Sequence, residues 1–270
     1  MMDGLPPADE RARYIYGIVP AGADATGLEG IGDPPEPVSL VRHGELAALV
    51  STVPTDRPLG TPADLRGHAR VLDTAAARGA VLPLRFGAVV RDTGAVADHL
   101  LAPHQEAFRG ALADLHDTAQ VTLRGTYRQE RVLREVLADR EDIARLRARV
   151  AAVPEAAAHY ERLRLGELIA QEIAARRGED TALALERLAP LAVSVHTQDA
   201  GTAVGDQAVG MSFLVDKNGW DAFEAEAESL ARDWAGRIDM RLLGPLAPYD
   251  FATAAVADAR PAEEAAGSWD

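Results

Sequence analysis

The sequence predicts an α+β protein of two domains. A mixed helix/sheet domain spans residues 1–117, a ferredoxin-like (βαββαβ) domain with extra helices spans 118–245, and a tail follows at 246–270. Three observations carry the prediction. Before residue 118, short strand signals surround one well-capped helix and one proline-interrupted helix. After it, the segments follow the order strand, helices, strand, strand, helix, strand. The chain has 270 residues, 47% hydrophobic and 26% charged, enough for two ordinary cores.

In the first domain, Tyr14–Val19 (YIYGIV) is rich in β-formers and is stopped by Pro20. A Gly/Pro/Asp loop, Ala21–Pro37, follows. Val38–Val41 and Leu46–Val53 then read as a hairpin turning at His43-Gly44-Glu45. Thr61-Pro62-Ala63-Asp64 starts a helix, with a hydroxyl N-cap, proline at the first helical position and an acid in the first turn. Its expected apolar face is Leu65, Ala69, Leu72 and Ala76, and Gly79 ends it. Val81–Val90 (VLPLRFGAVV) reads as one buried strand with Arg85 in its middle. Residues 93–116 read as helix kinked at Pro103, with Leu101, Phe108, Leu112 and Leu115 inward.

In the second domain, Val121, Leu123, Gly125 and Tyr127 alternate with polar residues as a half-buried strand. Helical patterning runs from Gln129 to Leu188, with breaks expected near Pro154 and Gly178 and an insertion at Gln129–Ala152. Leu191–Thr197 and Val209–Val215 alternate as strands. Asn218 is expected to cap a helix bearing Trp220, Phe223, Ala227, Leu230 and Trp234, and Ile238–Leu243 closes the sheet. Tyr249 and Phe251 are expected to dock on a domain surface, with fraying from about Ala252.

Composition excludes several functions. A net charge of −14, with no basic block in either domain, argues against a nucleic-acid partner. The arginines of Arg124–Arg149 interleave with Glu130, Glu135, Asp139, Glu141 and Asp142, as on an ion-paired helix face rather than a phosphate-binding surface. No stretch approaches the ~20 apolar residues of a membrane span, and MMDGLPPADERAR lacks a signal-peptide core, so no lipid membrane and a cytoplasmic location are expected. The absence of cysteine removes thiolate metal sites, disulfides and cysteine nucleophiles. The glycines at 22, 27, 30 and 32 lead into Pro34-Pro35-Glu36-Pro37 rather than a helix, so they form no dinucleotide cradle. Lys217 lacks a phosphate-binding glycine loop, Gly210–Leu214 lacks the second glycine of a nucleophile elbow, and no H-x-x-x-H pair occurs. No catalytic residue, cofactor or metal site is expected.

Five residues stand out as candidate partner contacts: Tyr14, Tyr16, His68, Arg85 and Phe86. Tyr14, Tyr16, His68 and Arg85 each have a structural reading beside the functional one. Tyr14 and Tyr16 share a strand face and either pack in the core or form an aromatic contact patch. His68 is either a hydrogen-bonded structural histidine or a contact. Arg85 is either a buried tie to carboxylate or carbonyl oxygens, so that Arg85→Ala damages folding first, or an anchor facing a partner.

Three segments, Tyr14–Ala21 (YIYGIVPA), Val81–Gly87 (VLPLRFG) and Leu243–Phe251 (LGPLAPYDF), with His68 upstream of the second, resemble the gas vesicle synthesis protein family GvpL/GvpF over residues 13 to about 251. The resemblance implies a non-enzymatic accessory protein of gas vesicle formation. It would bind the small hydrophobic shell subunit through its N-terminal domain and work with other gas vesicle accessory proteins. A soluble acidic partner suits that task, because it covers an apolar surface that would otherwise aggregate. The alternative is a ferredoxin-like small-molecule-binding regulatory or enzymatic module.

Overall fold

A computed structural model describes residues 11–55, 58–154, 158–197 and 206–252. It is a mixed α+β structure in which the chain forms two compact units, one of residues 1–120 with 244–270 and one of Val121–Leu243.

The first unit is organised around β1 (Arg11–Pro20). It pairs antiparallel with β3 (Leu46–Pro54) from Arg11↔Pro54 to Pro20↔Leu46, with a bulge between Ile15 and Gly17. The side-chain alternation resets there: Ala12, Tyr14 and Tyr16, then Val19, join one core cluster. β2 (Ser39–His43) completes the hairpin expected at Gly44. On the other edge of β1 lie β4 (Leu82–Pro83) and β5 (Val89–Val90), two residues each. Val81–Val90 is therefore not one strand. Leu84–Ala88 arches away between the two, with Gly87 at φ 95°, a left-handed turn that suits glycine.

Helix α1 (Pro62–Arg78) starts as its sequence demands. Thr61 accepts from the Asp64 N–H, and the Asp64 carboxylate accepts from the Thr61 N–H in a capping box. Its buried face is Asp64, Gly67, His68, Val71, Leu72, Ala75 and Ala76. The expected apolar face is thus displaced, and Leu65 is 49% exposed. Two polar side chains, each hydrogen-bonded, occupy core positions that an apolar count assigns to leucine. α2 (Thr93–Ala95), capped by Asp92, runs into a π-helical turn at Val96–Leu101. α3 (Gln105–Asp114) follows the break at Pro103, and Leu101, Phe108, Leu112 and Leu115 are buried as expected.

The second unit contains β6 (Thr118–Tyr127), α4 (Gln129–Asp139), α5 (Glu141–Ala152), α6 (His159–Leu188), β7 (Ser194–Thr197), β8 (Gln207–Asp216), α7 (Trp220–Asp233) and β9 (Ile238–Leu246), with sheet order β7-β8-β6-β9. Strands β6 and β8 run antiparallel: Thr122 bonds Ser212 while Tyr127 N–H bonds the Asp206 carbonyl. Val121, Leu123, Met211, Phe213, Phe223 and Leu230 form the heart of the core.

Three local expectations fail here. α6 runs through Gly178 without interruption, because that glycine lies on open surface where helical backbone is tolerated. Leu191 ends a 3₁₀ turn, so β7 starts only at Ser194. Asn218 does not cap α7; Asp216 accepts the Asn218 N–H and opens a 3₁₀ turn, Lys217–Gly219, before α7. The expected break near Pro154 falls between α5 and α6, partly outside the described residues, as does the fraying beyond Ala252.

Two glycines give opposite expectations. A Cβ at Gly125 would sit 2.6 Å from Val209 Cγ2 and 2.9 Å from Ile238 Cγ2, so Gly125→Val should cost about 1–3 kcal/mol by overpacking. A Cβ at Gly178 meets nothing within 4 Å, so Gly178→Ala should stabilise by about 0.5–1 kcal/mol through helix propensity. Chemical denaturation of both variants checks the two signs.

Candidate functional site

Tyr14 and Tyr16 project from β1 towards α1, where burial forces each hydroxyl to find partners. The Tyr14 hydroxyl accepts the Gly87 N–H (3.2 Å) and donates to His68 Nδ1 (2.9 Å). The other ring nitrogen of His68, Nε2, donates its N–H to the Leu84 carbonyl, while the Leu84 N–H returns to the Tyr16 carbonyl at 2.9 Å. Tyr16 accepts the Ile31 N–H (2.7 Å) and shares a hydrogen bond with Ser51 (2.8 Å). The rings pack edge and face, with Tyr14–Tyr16 centroids 4.9 Å apart and His68–Phe86 centroids 5.6 Å apart.

This cluster lies directly beneath the Leu84–Ala88 arch and holds both of its ends. Phe86 tucks half-buried against it, and Arg85 points outward, exposed, with no hydrogen-bond or ion-pair partner among the described residues. The buried tie considered for Arg85 is therefore absent, because the chain leaves the sheet there and carries the guanidinium into solvent. Tyr14, Tyr16 and His68 are buried beneath the arch and support it, whereas Arg85 is exposed and Phe86 half-buried at its surface.

Burial sets the protonation states. Desolvation pushes the Tyr14 and Tyr16 phenols above their ordinary range and lowers His68 to about 4. His68 is thus neutral, with both nitrogens engaged and neither left for a metal or a proton shuttle. Among the described residues no group of three or more His, Cys, Asp or Glu gathers as a metal site.

The C-terminal segment reinforces this side of the sheet. Asp73 on α1 accepts the Ala247 N–H (2.9 Å), Gln120 and Asp250 bond reciprocally at 2.8 and 3.0 Å, and Tyr249 packs against the same core cluster. Burial raises the Tyr249 phenol, whose hydroxyl has no hydrogen-bond partner among the described residues. Phe251 is half-buried in the same 3₁₀ turn.

Sequence reasoning missed a second cluster, in the other unit. Arg237 holds buried Asp180 through two bonds (2.7 and 2.8 Å) and reaches Glu135 at 3.0 Å, while Tyr127 donates to Asp180 at 2.6 Å. The arginine tie weighed for Arg85 is made instead by Arg237, which joins α4, α6 and β6.

The model of one known family, described as gas vesicle synthesis protein GvpL/GvpF, matches residues 12–253. The chain belongs to the GvpL/GvpF family. Gas vesicle protein F of Streptomyces sp. (strain CB03234) is 35% identical over 88% of this chain and 98% of its own length. Gas vesicle protein F of Nostoc sp. is 26% identical over 88% of this chain and 97% of its own. The crystal structure of GvpF from Anabaena sp. PCC7120 superposes with a TM-score of 0.76 at 24% identity, covering 89% of this chain and 98% of that one, and shares its fold. GvpL/GvpF membership supports a role in gas vesicle formation, and the family match spans both the aromatic pin and the C-terminal segment docked beside it.

His68 has a lower pKa folded than unfolded, so the unfolded chain binds the extra proton. Its contribution is complete above pH ~6.5 and is lost as pH falls towards 4, a change of up to about 3 kcal/mol. Unfolding free energies of wild type and His68→Gln at pH 7.5 and 4.5 should show a shallower fall in the variant; equal slopes would refute this role. Arg237→Met strands a buried carboxylate and should cost about 3–5 kcal/mol in urea denaturation, whereas Arg85→Ala should stay within about 0.5 kcal/mol of wild type.

Proposed function

We propose that this chain is a non-enzymatic assembly factor that binds the small hydrophobic gas vesicle shell subunit through the N-terminal domain of residues 1–117, at the Leu84–Ala88 arch. One observation carries the reading: an unpaired, exposed Arg85 stands beside half-buried Phe86 on a backbone that a buried Tyr14–His68 pair holds rigid. An arginine next to an aromatic on a preorganised turn suits an interface anchor, since little side-chain or loop ordering is left to be lost on binding. Net charge supports the same reading, because an acidic protein keeps a bound apolar subunit soluble.

The remaining parts fit around this role. The element order βαββαβ and strand order β7-β8-β6-β9 support a ferredoxin-like domain over residues 118–245, with α4 and α5 as the added helices. Other gas vesicle accessory proteins are further partners, and the complex works in the cytoplasm in association with gas vesicles. Among the described residues no helix is long and apolar enough to cross a membrane.

Co-expression of the full chain with the shell subunit, followed by affinity capture, tests the proposal. Arg85→Glu should reduce capture about tenfold or more while leaving the melting temperature unchanged, as expected for an anchor residue worth more than ~1 kcal/mol. Undiminished capture by that variant would remove the arch from the interface.

A further inference from the structure

The described residues end at Ala252, which closes the 3₁₀ turn of Tyr249–Phe251. That turn is fixed beside the arch. Asp73 on α1 accepts the Ala247 N–H, and Tyr249 packs on the same core cluster as Tyr14 and Phe86. Two cations stand unpaired around it. Arg85 on the arch is one. Arg66 is the other, seven residues before Asp73 and therefore on the same line of α1. Both are exposed, and neither has a hydrogen-bond or ion-pair partner among the described residues. In a chain of net charge −14, two free arginines near half-buried Phe86 make a local cationic surface.

The sequence leaving this turn is complementary to that surface. Residues 253–270 carry Asp258, Glu263, Glu264 and Asp270 against Arg260 alone, and residues 261–270 (PAEEAAGSWD) combine three acids and Trp269 with no basic residue. They lie beyond the family match, which ends at residue 253. We infer that residues 261–270 dock on the arch of their own chain, with Glu263 and Glu264 against Arg85 and Arg66 and Trp269 against Phe86. The 12 residues from Ala252 to Glu264 reach about 40 Å when extended, and such a tether holds the acids at roughly millimolar effective concentration. A contact of only millimolar affinity therefore occupies the arch about half the time. The docked segment competes with the shell subunit, a consequence that rests on the arch being that subunit's site. With half to nine-tenths of the arches occupied, apparent affinity for the subunit falls about two- to tenfold.

Lys217 is the sole lysine, so Arg85→Lys adds one side-chain amine that a carbodiimide can join to a nearby carboxylate. Cross-linking the full chain of that variant at low salt, read by mass spectrometry, should join position 85 to Glu263 or Glu264 within the monomer. The yield should be independent of protein concentration and about tenfold or more above that of Arg109→Lys, which puts the amine on α3, outside the core cluster that Phe86 and Tyr249 pack against. Salt at about 1 M should remove the difference. No link at position 85, a link that joins two copies and grows with concentration, or one no stronger than at position 109 would each overturn the docking. In shell-subunit capture, Glu263→Gln combined with Glu264→Gln should raise the apparent affinity about two- to tenfold, and unchanged capture would overturn the competition. The cross-linking contains no shell subunit, so its failure is distinct from that of the shell-subunit reading, which falls if capture ignores Arg85→Glu.

Discussion

Two phenols and an imidazole cannot be buried in one sheet-helix interface unless every polar atom finds a partner, and the first unit is arranged around that requirement. An unpartnered buried donor costs about 1–3 kcal/mol. Tyr14 and Tyr16 meet it by bonding backbone from segments remote in sequence: Gly87 in the arch and Ile31 in the Gly/Pro-rich loop. His68, bonded to both Tyr14 and Leu84, fixes α1 against the arch. The same handful of bonds therefore positions the long loop, the first helix and the interrupted edge of the sheet. Apolar burial gives this unit its cohesion; the phenols give it one arrangement.

The second unit solves a related problem with charge. Asp180 is almost fully buried on a long helix, and the forked geometry of Arg237 with the Tyr127 hydroxyl compensates for the water it has lost. Arg237 also lies 5.7 Å from the centre of the Tyr127 ring, so one guanidinium neutralises a carboxylate and packs against an aromatic face. Among the described residues four of the eight arginines between Arg124 and Arg149 pair with carboxylates, as with Arg128–Asp239, Arg140–Asp142 and Arg145–Glu141 on exposed surface. Such pairs contribute little individually and chiefly keep the helices soluble.

What was legible in the sequence is what local chemistry determines. The β1 strand, the hairpin at Gly44, the Thr61–Asp64 cap and the inward set from Leu101 to Leu115 all depend on neighbours within a few residues. The structural reading of His68 was also within reach, since a lone histidine on a helix face commonly satisfies the core. What eluded the sequence depends on distance or on polar burial. Asp64 and His68 displace α1's face because a satisfied polar side chain takes a core position as well as a leucine does. An apolar run such as VLPLRFGAVV does not disclose that a tyrosine hydroxyl 73 positions away interrupts it. Asp180 looks like any helix-surface acid until Tyr127, 53 positions before it, and Arg237, 57 after it, are brought alongside.

The broken edge beside β1 has one more consequence. A long, flat edge strand offers a row of free amides and carbonyls on which another chain can grow. Here each edge segment is only two residues long, one of them contains a proline, and an outward arginine stands between them. Stacking further strands onto this edge of the sheet would find no continuous template. The feature that displays Arg85 therefore also guards this edge of the sheet against strand addition.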